Sequence, residues 1–541
     1  MRAHSSSLAA LVAAVSVVAI VAAGLAAPAE AKRGRSKLYD TFLLSRTFTG
    51  DWPNGPSSNA TISQDGRVGR AVAYQSDASN IVPGDANGLT DVIVVERASP
   101  YSRTGSTWRN GRTRIASTGL GGQPANGRSY GPAIDGRPRG PRPIAPQCVA
   151  FVSDASNLVP DDTNGRPDAF VFSLRTGSVR RVSVSTGGAQ SDGSTYDVAV
   201  DGTCTRVAFT SNASNLAQTS GGGKRRPNFA SVRTGAPPAG TKQVYVRVIG
   251  TDRASDRGLR GLSFLASASS GGNPGNANSS DPSWSIRTKE VLAFTSRASN
   301  LAGRDENRTT DVYVRKMKRV VRYFGRRGSR RKLATLASRT RLVSAKASGK
   351  AGNGSSSQPS ASDQGYFVTY QTKASDLIPR DRNTVTDIAR ADLRGRRIGT
   401  KAVSRQRGRI GNGPSFNPQS AAGGYYAVFD SSSTTFRPTA AAKRDRNGAR
   451  DVFLYTDVRN LVTNHSADTS NRPLRLPSRN AASSARANYL LFETSDPFAD
   501  VRRARRLHPD WFVDPLATLA SARSNPAFNQ IFMRYLGPRD L

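Results

Sequence analysis

One pattern of apolar and polar positions recurs seven times along the chain. In each copy, small apolar residues and an aromatic residue lead into a small polar turn, as in AYQS at residues 73–76 and AFTS at residues 208–211. The other copies lie at residues 150–153, 293–296, 369–372, 428–431 and 491–494. Alternation of this kind is typical of a pleated strand. A motif repeated this often predicts a repeat architecture.

Each repeat contains four strand-like segments, which in the first repeat fall at residues 59–63, 73–76, 91–94 and 114–116. The fourth segment occurs only six times, because the chain ends after residues 530–536 without one, whereas a spare segment at residues 41–45 precedes the first repeat. In a closed ring this spare segment completes the last repeat, so that no edge strand stays unpaired. The sequence therefore predicts an all-β, seven-bladed β-propeller closed by an N-terminal strand. An open solenoid would leave both fragments unused.

The predicted propeller domain spans residues 32–541. Its blades are predicted at about residues 57–117, 129–185, 194–268, 280–345, 358–405, 417–464 and 486–536, with residues 40–46 completing the last. Residues 1–31 indicate an export signal, because Arg2 precedes an apolar run at residues 8–27 and residues 29–31 form a small-x-small cleavage site. An uncleaved membrane anchor is the alternative, since the run approaches spanning length. The rest of the chain has no transmembrane segment, so we expect a secreted or cell-surface protein.

A longer consensus follows the aromatic residue of several repeats. It runs aromatic-x-Ser-x-Ala-Ser-Asn-Leu-Val-Pro-x-Asp-x-Asn-Gly-x-x-Asp-Val-Phe-Val; residues 151–171 carry nearly all of it, and residues 74–94 and 294–314 carry most. This consensus resembles the TolB-like, WD-like propeller repeats of exported bacterial proteins. The resemblance implies a propeller and often a protein-binding role. Residues 215–243 depart from it with a long basic, Gly-rich insertion, and the seventh repeat lacks the Asp-x-Asn-Gly element.

The chain is strongly basic, with Lys+Arg 78 against Asp+Glu 39 and a formal net charge of +39. Such a surface attracts anionic polymers; for an exported protein these are envelope polymers, lipid head groups or acidic polysaccharides, with no specific nucleic acid. A composition bias without a chosen partner is the alternative. The densest stretch predicts a ligand-binding hairpin extension, with a solvated loop as the alternative. Its candidate residues are Arg315, Lys316, Lys318, Arg319, Arg322, Tyr323, Phe324, Arg326, Arg327, Arg330, Arg331 and Lys332.

An Asp-x-Asn-x-x-x-Asp loop recurs in five repeats. Its oxygen atoms could converge on a calcium ion, the one cofactor that the sequence suggests. The first two copies supply the candidate ligands Asp85, Asn87, Asp91, Asp162, Asn164 and Asp168. The alternative is a structural turn, because Asp and Asn side chains bond to nearby backbone amides and the loop lacks the terminal Glu of an EF-hand. Both interpretations stay open from sequence.

Catalytic motifs are scarce. Residues 127–131 match the hydrolase pattern G-x-S-x-G, but no helix pattern follows, so we treat the match as coincidence. Only two histidines, His465 and His508, follow the signal. A Ser-His-acid triad or a histidine-rich zinc site therefore has few candidate residues.

The chain has two cysteines, Cys148 and Cys204. The sequence does not decide whether they form a disulfide. Both precede an aromatic residue by an odd number of positions, so bridging requires a bulge or turn at one of them.

These features favour an exported, non-catalytic binding scaffold that recognises a protein or an anionic envelope polymer through rim loops and a basic surface. The alternative is an enzyme, a glycan lyase or hydrolase, with acidic residues in the propeller channel. A purely structural, wall-associated scaffold is a third possibility. The residues of the central channel distinguish these hypotheses. An enzyme should have two carboxylates in the channel, or a base beside an arginine.

Overall fold

The computed structural model describes residues 39–537 apart from 66–68, 100–105, 138–143, 218–234, 251–258, 289, 304, 325–330, 437–446 and 508–527. The predicted export signal, residues 1–31, lies outside the described residues. In the described part, no helix has the length and apolar character needed to cross a membrane.

Seven four-stranded antiparallel sheets form the blades. Blade one contains β2 (Ser57–Ile62), β3 (Ala71–Ser76), β4 (Asp91–Glu96) and β5 (Arg112–Ile115). Blade two contains β6 (Ser129–Ile134), β7 (Cys148–Ser153), β8 (Asp168–Ser173) and β9 (Val179–Arg181). Blade three contains β10 (Thr195–Val200), β11 (Arg206–Ser211), β12 (Gln243–Val248) and β13 (Ser263–Leu265). Blade four contains β14 (Ser279–Trp284), β15 (Val291–Ser296), β16 (Asp311–Phe324) and β17 (Arg331–Leu342). Blade five contains β18 (Ser356–Ala361), β19 (Phe367–Thr372), β20 (Asp387–Asp392) and β21 (Gly399–Ala402).

Blade six contains β24 (Ser415–Ala421), β25 (Tyr426–Ser431), β26 (Asp451–Thr456) and β27 (Leu461–Asn464), and it follows a small hairpin of β22 (Arg405–Gln406) and β23 (Arg409–Ile410). Blade seven contains β28 (Ser478–Ser483), β29 (Tyr489–Thr494) and β30 (Gln530–Tyr535), and β1 (Thr41–Leu43) is its outer strand. Among the described residues, the short helices α1 (Ser106–Arg109) and α2 (Val501–Leu507) lie in connections. The predicted seven-bladed propeller is therefore confirmed.

The repeated aromatic residue explains why the motif recurs. In five blades it stacks on an aromatic residue of the neighbouring third strand, with ring centroids about 6 Å apart: Phe151 on Phe170, Phe209 on Tyr245, Phe294 on Tyr313, Phe429 on Phe453 and Phe492 on Phe532. These rings are buried. Each pair adds apolar area at a fixed place in the blade, so the spacing of the motif sets the register of the two central strands.

The ring closes through the N-terminal strand, as the count of segments predicts. Strand β1 pairs antiparallel with β30, which places Phe42 opposite Met533 and Leu43 opposite Phe532. The fully buried Arg534 donates hydrogen bonds to the carbonyl oxygens of Tyr39, Ala467 and Asp468, which joins the opening segment to the loop after blade six. The last blade is thus built from both ends of the chain.

Every innermost strand has the same irregularity. The register between the first and second strands shifts near the middle of the first strand in all seven blades. In six blades the residue at this bulge has a positive φ of 49–60°: Asn59, Gly131, Asp281, Gln358, Asn417 and Asn480. Asn and Asp tolerate this conformation better than other side chains. A bulge redirects a side chain, and here it acts at the strands that line the central channel.

The two cysteines form a disulfide between blades two and three, with a Cα–Cα distance of 6.0 Å. Cys148 opens β7, whereas Cys204 lies in the turn before β11 with a φ of 53°. This left-handed turn provides the departure from regular strand geometry that the odd spacing requires.

A buried carboxyl group makes the stability of the fold depend on pH. Asp135 accepts hydrogen bonds from the backbone N–H groups of Gln147 (2.6 Å) and Cys148 (2.9 Å). Burial, assisted by the charges of Asp201 and Asp65, raises the pKa of Asp135 from 3.8 to about 8. The folded state therefore holds a proton that the unfolded chain releases near pH 4, so stability falls as pH rises from about 4 to about 8.

We expect the melting temperature to be higher at pH 5 than at pH 8, and Asp135→Asn to reduce this difference. Asparagine keeps the accepting oxygen but does not ionise. The matched control is Asp77→Asn at an exposed position, which should leave the pH dependence unchanged. Equal pH dependence in the wild type and Asp135→Asn, measured by calorimetry, would contradict the assignment.

Candidate functional site

Hydrogen bonds between neighbouring blades form a polar ring around the channel. The residue after the repeated aromatic accepts the backbone N–H of the bulge residue in the next blade. Gln75 accepts from Gly131 (3.0 Å), Gln371 accepts from Asn417 (3.4 Å), and Glu493 accepts from Asn59 (2.6 Å). These three bonds join the residue after the aromatic to the bulge residue of the next innermost strand, beside the channel.

Four of these channel positions carry carboxylates, and two of the four residues are joined by a hydrogen bond. These two are Asp197 and Asp281, in blades three and four, and both side chains are partly exposed. Asp197 accepts the backbone N–H groups of Thr210 and Asp281, each at 3.2 Å. Burial, with the nearby charge of Asp281 adding to it, raises the pKa of Asp197 to about 6. Asp197 is therefore poised to donate or accept a proton near neutral pH.

The other two carboxylates are Asp430 in blade six and Glu493 in blade seven, and both are fully buried. Glu493 Oε1 accepts a hydrogen bond from Asn480 Nδ2 at 2.9 Å, and Glu493 Oε2 lies 3.4 Å from Arg479 Nε. Asp430 Oδ2 lies 3.2 Å from Arg450 Nη1. Burial raises the pKa of Asp430 to about 6, while the Arg450 charge opposes this shift. Each carboxylate therefore stands beside an arginine whose side chain is partly exposed.

In blades three and six a cation lies against an aromatic ring of the innermost strand. Lys242 Nζ lies 3.7 Å from the ring centre of Tyr196, and Arg450 Cζ lies 4.4 Å from that of Phe416. Tyr196 and Phe416 each precede a bulge residue. Both contacts are within the range of a cation–π interaction. In these two blades an aromatic ring thus lies next to a positive charge and directly precedes the bulge residue.

The structure corrects the role expected of Arg315. Its side chain is 1% exposed, and Nη1 donates to the carbonyl oxygens of Ala268 (2.5 Å) and Ser269 (2.6 Å) and to Thr340 Oγ1 (2.7 Å). Arg315 therefore fastens blade four to the preceding loop and is not a ligand-binding residue. Its position in β16 corresponds to that of Arg534 in β30, which makes the same type of contact.

The remaining basic candidates lie on or beside an extended hairpin. Strands β16 and β17 pair out to Phe324 opposite Arg331, and Lys316 at its base is exposed. For Lys318, Arg319, Arg322, Tyr323, Phe324, Arg331 and Lys332, the structure describes the backbone. Arg326, Arg327 and Arg330 lie outside the described residues. A ligand for these residues stays a prediction.

In the Asp-x-Asn loops, the Asn side chains form the short-range hydrogen bonds that are typical of a structural turn. Asn87 donates from Nδ2 to Asp91 Oδ2 (2.8 Å) and accepts the backbone N–H of Leu89 (2.9 Å). Asn164 in the second blade makes the equivalent bonds to Asp168 and to the N–H of Arg166. Burial, with the charge of Asp91, raises the pKa of Asp85 to about 6. Among the described residues, no three His, Cys, Asp or Glu side chains converge as a metal site; calcium stays a prediction.

The G-x-S-x-G match and the histidines were the other possible catalytic groups in the sequence. Ser129 of the G-x-S-x-G match is buried in the innermost strand β6 and is hydrogen-bonded to Ser153 Oγ at 2.8 Å. His465 is buried, and His508 lies outside the described residues.

No protein-family model and no curated protein matches the chain. Among solved structures, the chain is similar to an oligogalacturonate lyase from Vibrio parahaemolyticus, with 10% identity, 92% of this chain and 97% of that chain covered, and a TM-score of 0.45. It is also similar to the Pyrococcus horikoshii acylaminoacyl peptidase (12% identity, 84% of this chain and 50% of that chain, TM-score 0.38). A third similar structure is a Mycobacterium tuberculosis puromycin-hydrolyzing peptidase, with 12% identity, 85% of this chain and 53% of that chain covered, and a TM-score of 0.39. At these identities the likeness concerns the fold alone.

The comparisons give no support to the expectation of a non-catalytic binding scaffold, since the similar solved propellers are a lyase and peptidases.

Sequence reasoning did not single out Asp197, Asp281, Asp430 or Glu493. A signal for them was present, since Asp430 and Glu493 directly follow the repeated aromatic, at the position that holds Gln75 and Gln371 in other blades. Asp197 and Asp281 stand third in their innermost strands.

Proposed function

We propose that the protein is an acid–base enzyme that cleaves an anionic glycan at the channel mouth. The observation that carries this proposal is the Asp197–Asp281 pair: two partly exposed carboxylates from adjacent blades, one with its pKa raised to about 6. Paired carboxyl groups whose environments differ are the usual means of dividing acid and base roles. Asp197 holds and transfers the proton, and Asp281 raises the proton affinity of Asp197 through its charge.

The surroundings of the pair support a sugar substrate that carries negative charge. Tyr196 adjoins Asp197 in the same strand, and its ring provides a flat surface on which the apolar face of a sugar can lie. Lys242, which contacts this ring, provides a cation for a carboxylate group of the substrate. Arg450 and Phe416 repeat this combination in blade six.

Two cleavage reactions fit these groups. In hydrolysis, a carboxylic acid protonates the glycosidic oxygen, and water adds to the anomeric carbon with the help of a carboxylate. In elimination from a uronate, a base removes the proton next to the sugar carboxylate, a C=C bond forms, and the C4–O bond breaks with the electron pair leaving on oxygen. An arginine or lysine that neutralises the sugar carboxylate makes this proton more acidic. Both reactions need a carboxylate that accepts a proton, and elimination also needs the cation.

Incubation with acidic polysaccharides tests the proposal. We expect the protein to shorten at least one of alginate, polygalacturonate and hyaluronate, and to leave the neutral polymer dextran intact. New reducing ends measure cleavage by either route, and ultraviolet absorbance of the unsaturated product identifies elimination. The proposal fails if none of the three acidic polymers is shortened between pH 5 and pH 8.

We further propose that this enzyme acts outside the cytoplasm. The apolar run and cleavage site in residues 1–31 support export, and so does the Cys148–Cys204 disulfide, since such bonds persist in oxidising compartments. We also propose that the protein is a TolB-like propeller, and this proposal rests on the repeat consensus.

A further inference from the structure

A second positively charged site lies away from the channel. A groove of about 1050 Å³ borders the outer strand of blade four and the turn between β20 and β21. Its cationic lining consists of Arg339, Arg341, Lys346, Arg396 and Arg397, and the described lining residues include no Asp or Glu. Neighbouring strands lie about 4.8 Å apart, so three strand spacings, about 14 Å, separate this outer strand from the channel wall.

Like charges are brought together at one end of the groove. Strand pairing places Lys316 opposite Arg339, and both side chains are exposed. Burial and the charge of Arg339 both lower the pKa of Arg341. Like charges directly opposite each other in a sheet are destabilising. A bound anion would offset this repulsion.

The other side of the groove is held in place by Arg341. Its guanidinium donates to the carbonyl oxygens of Leu393 (3.4 Å), Gly395 (3.3 Å) and Arg396 (2.9 Å), which are in the turn between β20 and β21. These bonds fix the backbone that carries Arg396 and Arg397. Both of these side chains are exposed and have no carboxylate partner among the described residues. Their donors face the groove on a braced turn, which lowers the entropy cost of binding.

We propose that this groove binds an extended polyanion with repeated carboxylate or phosphate groups. Arg339 stands on one side and Arg396 and Arg397 on the other, so successive anionic groups of one chain can be held at once. Arginine suits this role because its planar fork matches both carboxylate and phosphate. The groove lies apart from the channel, and binding there requires no turnover, so this proposal goes beyond the proposed function and stands or falls separately.

Binding is best measured with the full chain carrying Asp197→Asn, so that cleavage does not consume the probe. The groove variant is Arg339→Ser/Arg396→Ser/Arg397→Ser. The matched control is Arg112→Ser/Arg175→Ser/Arg459→Ser, which removes the same charge from exposed positions in other blades. Fluorescently labelled alginate and long-chain polyphosphate are the probes, with dextran as the uncharged reference, and the measurement is anisotropy across a salt series.

We expect the groove variant to bind at least one polyanion about tenfold more weakly than the control variant does. Preference for alginate or for polyphosphate identifies the anionic group. Equal weakening in both triple variants would show that net charge alone attracts the polymer and would overturn the groove. Binding of dextran, or failure of both polyanions to bind at low salt, would overturn it as well.

Discussion

Replacing Asp197 with asparagine is expected to lower the rate of glycan cleavage by about a hundredfold or more, because positioned proton transfer contributes about 10²–10⁴-fold. Asparagine has nearly the same shape and keeps an oxygen that can accept the N–H of Thr210, now at 3.2 Å. It does not take up or release a proton at neutral pH. The loss should therefore appear in kcat while the fold and the binding of the polymer are kept.

The matched control is Glu306→Gln, a carboxylate whose side chain is 72% exposed, paired with Lys350 at 3.8 Å. It should retain the wild-type rate. Asp281→Asn provides a second readout: removing this negative charge lowers the pKa of Asp197, so the limb of the pH–rate profile that reports Asp197 moves to lower pH. Wild-type activity in Asp197→Asn, or an unmoved pH limb in Asp281→Asn, would contradict the assigned roles.

Phe42→Ala is expected to destabilise the propeller by about 3–5 kcal/mol, the usual cost of emptying a buried phenylalanine site. Phe42 is fully buried in β1, the strand that closes the ring, and it packs in a cluster with Tyr489, Ile531 and Met533. Its loss leaves a cavity at the seam, where the paired segments come from opposite ends of the chain. Hydrogen bonds such as that from Arg534 to Tyr39 also hold the seam, but they do not fill the emptied site.

Phe48→Ala is the matched control, the same substitution six residues further along. Phe48 is 61% exposed, so its truncation should change stability by less than about 0.5 kcal/mol. Chemical denaturation followed by fluorescence and by circular dichroism compares the two variants. Equal stability of Phe42→Ala and Phe48→Ala would mean that β1 does not hold the ring closed.

The basic stretch shows where reasoning from local sequence fails. Arg315 and Lys316 are neighbours with the same charge, and both fit a solvated hairpin. In the structure Arg315 is buried among carbonyl oxygens of the preceding loop, and Lys316 is exposed. Strand alternation distinguishes the two faces of β16, but it does not reveal that a loop from another blade covers one of them.

The sequence alone determined the blades, their number and the closing strand. Each blade is made by segments close in sequence, and the spacing of the repeated aromatic residue fixes their pairing. The tertiary structure alone decided which polar groups meet. Asp197 and Asp281 are 84 positions apart and share a hydrogen bond because curvature of the ring brings adjacent blades together at the channel. Local spacing governs strand pairing, whereas burial and long-range juxtaposition depend on how the blades pack around a common axis.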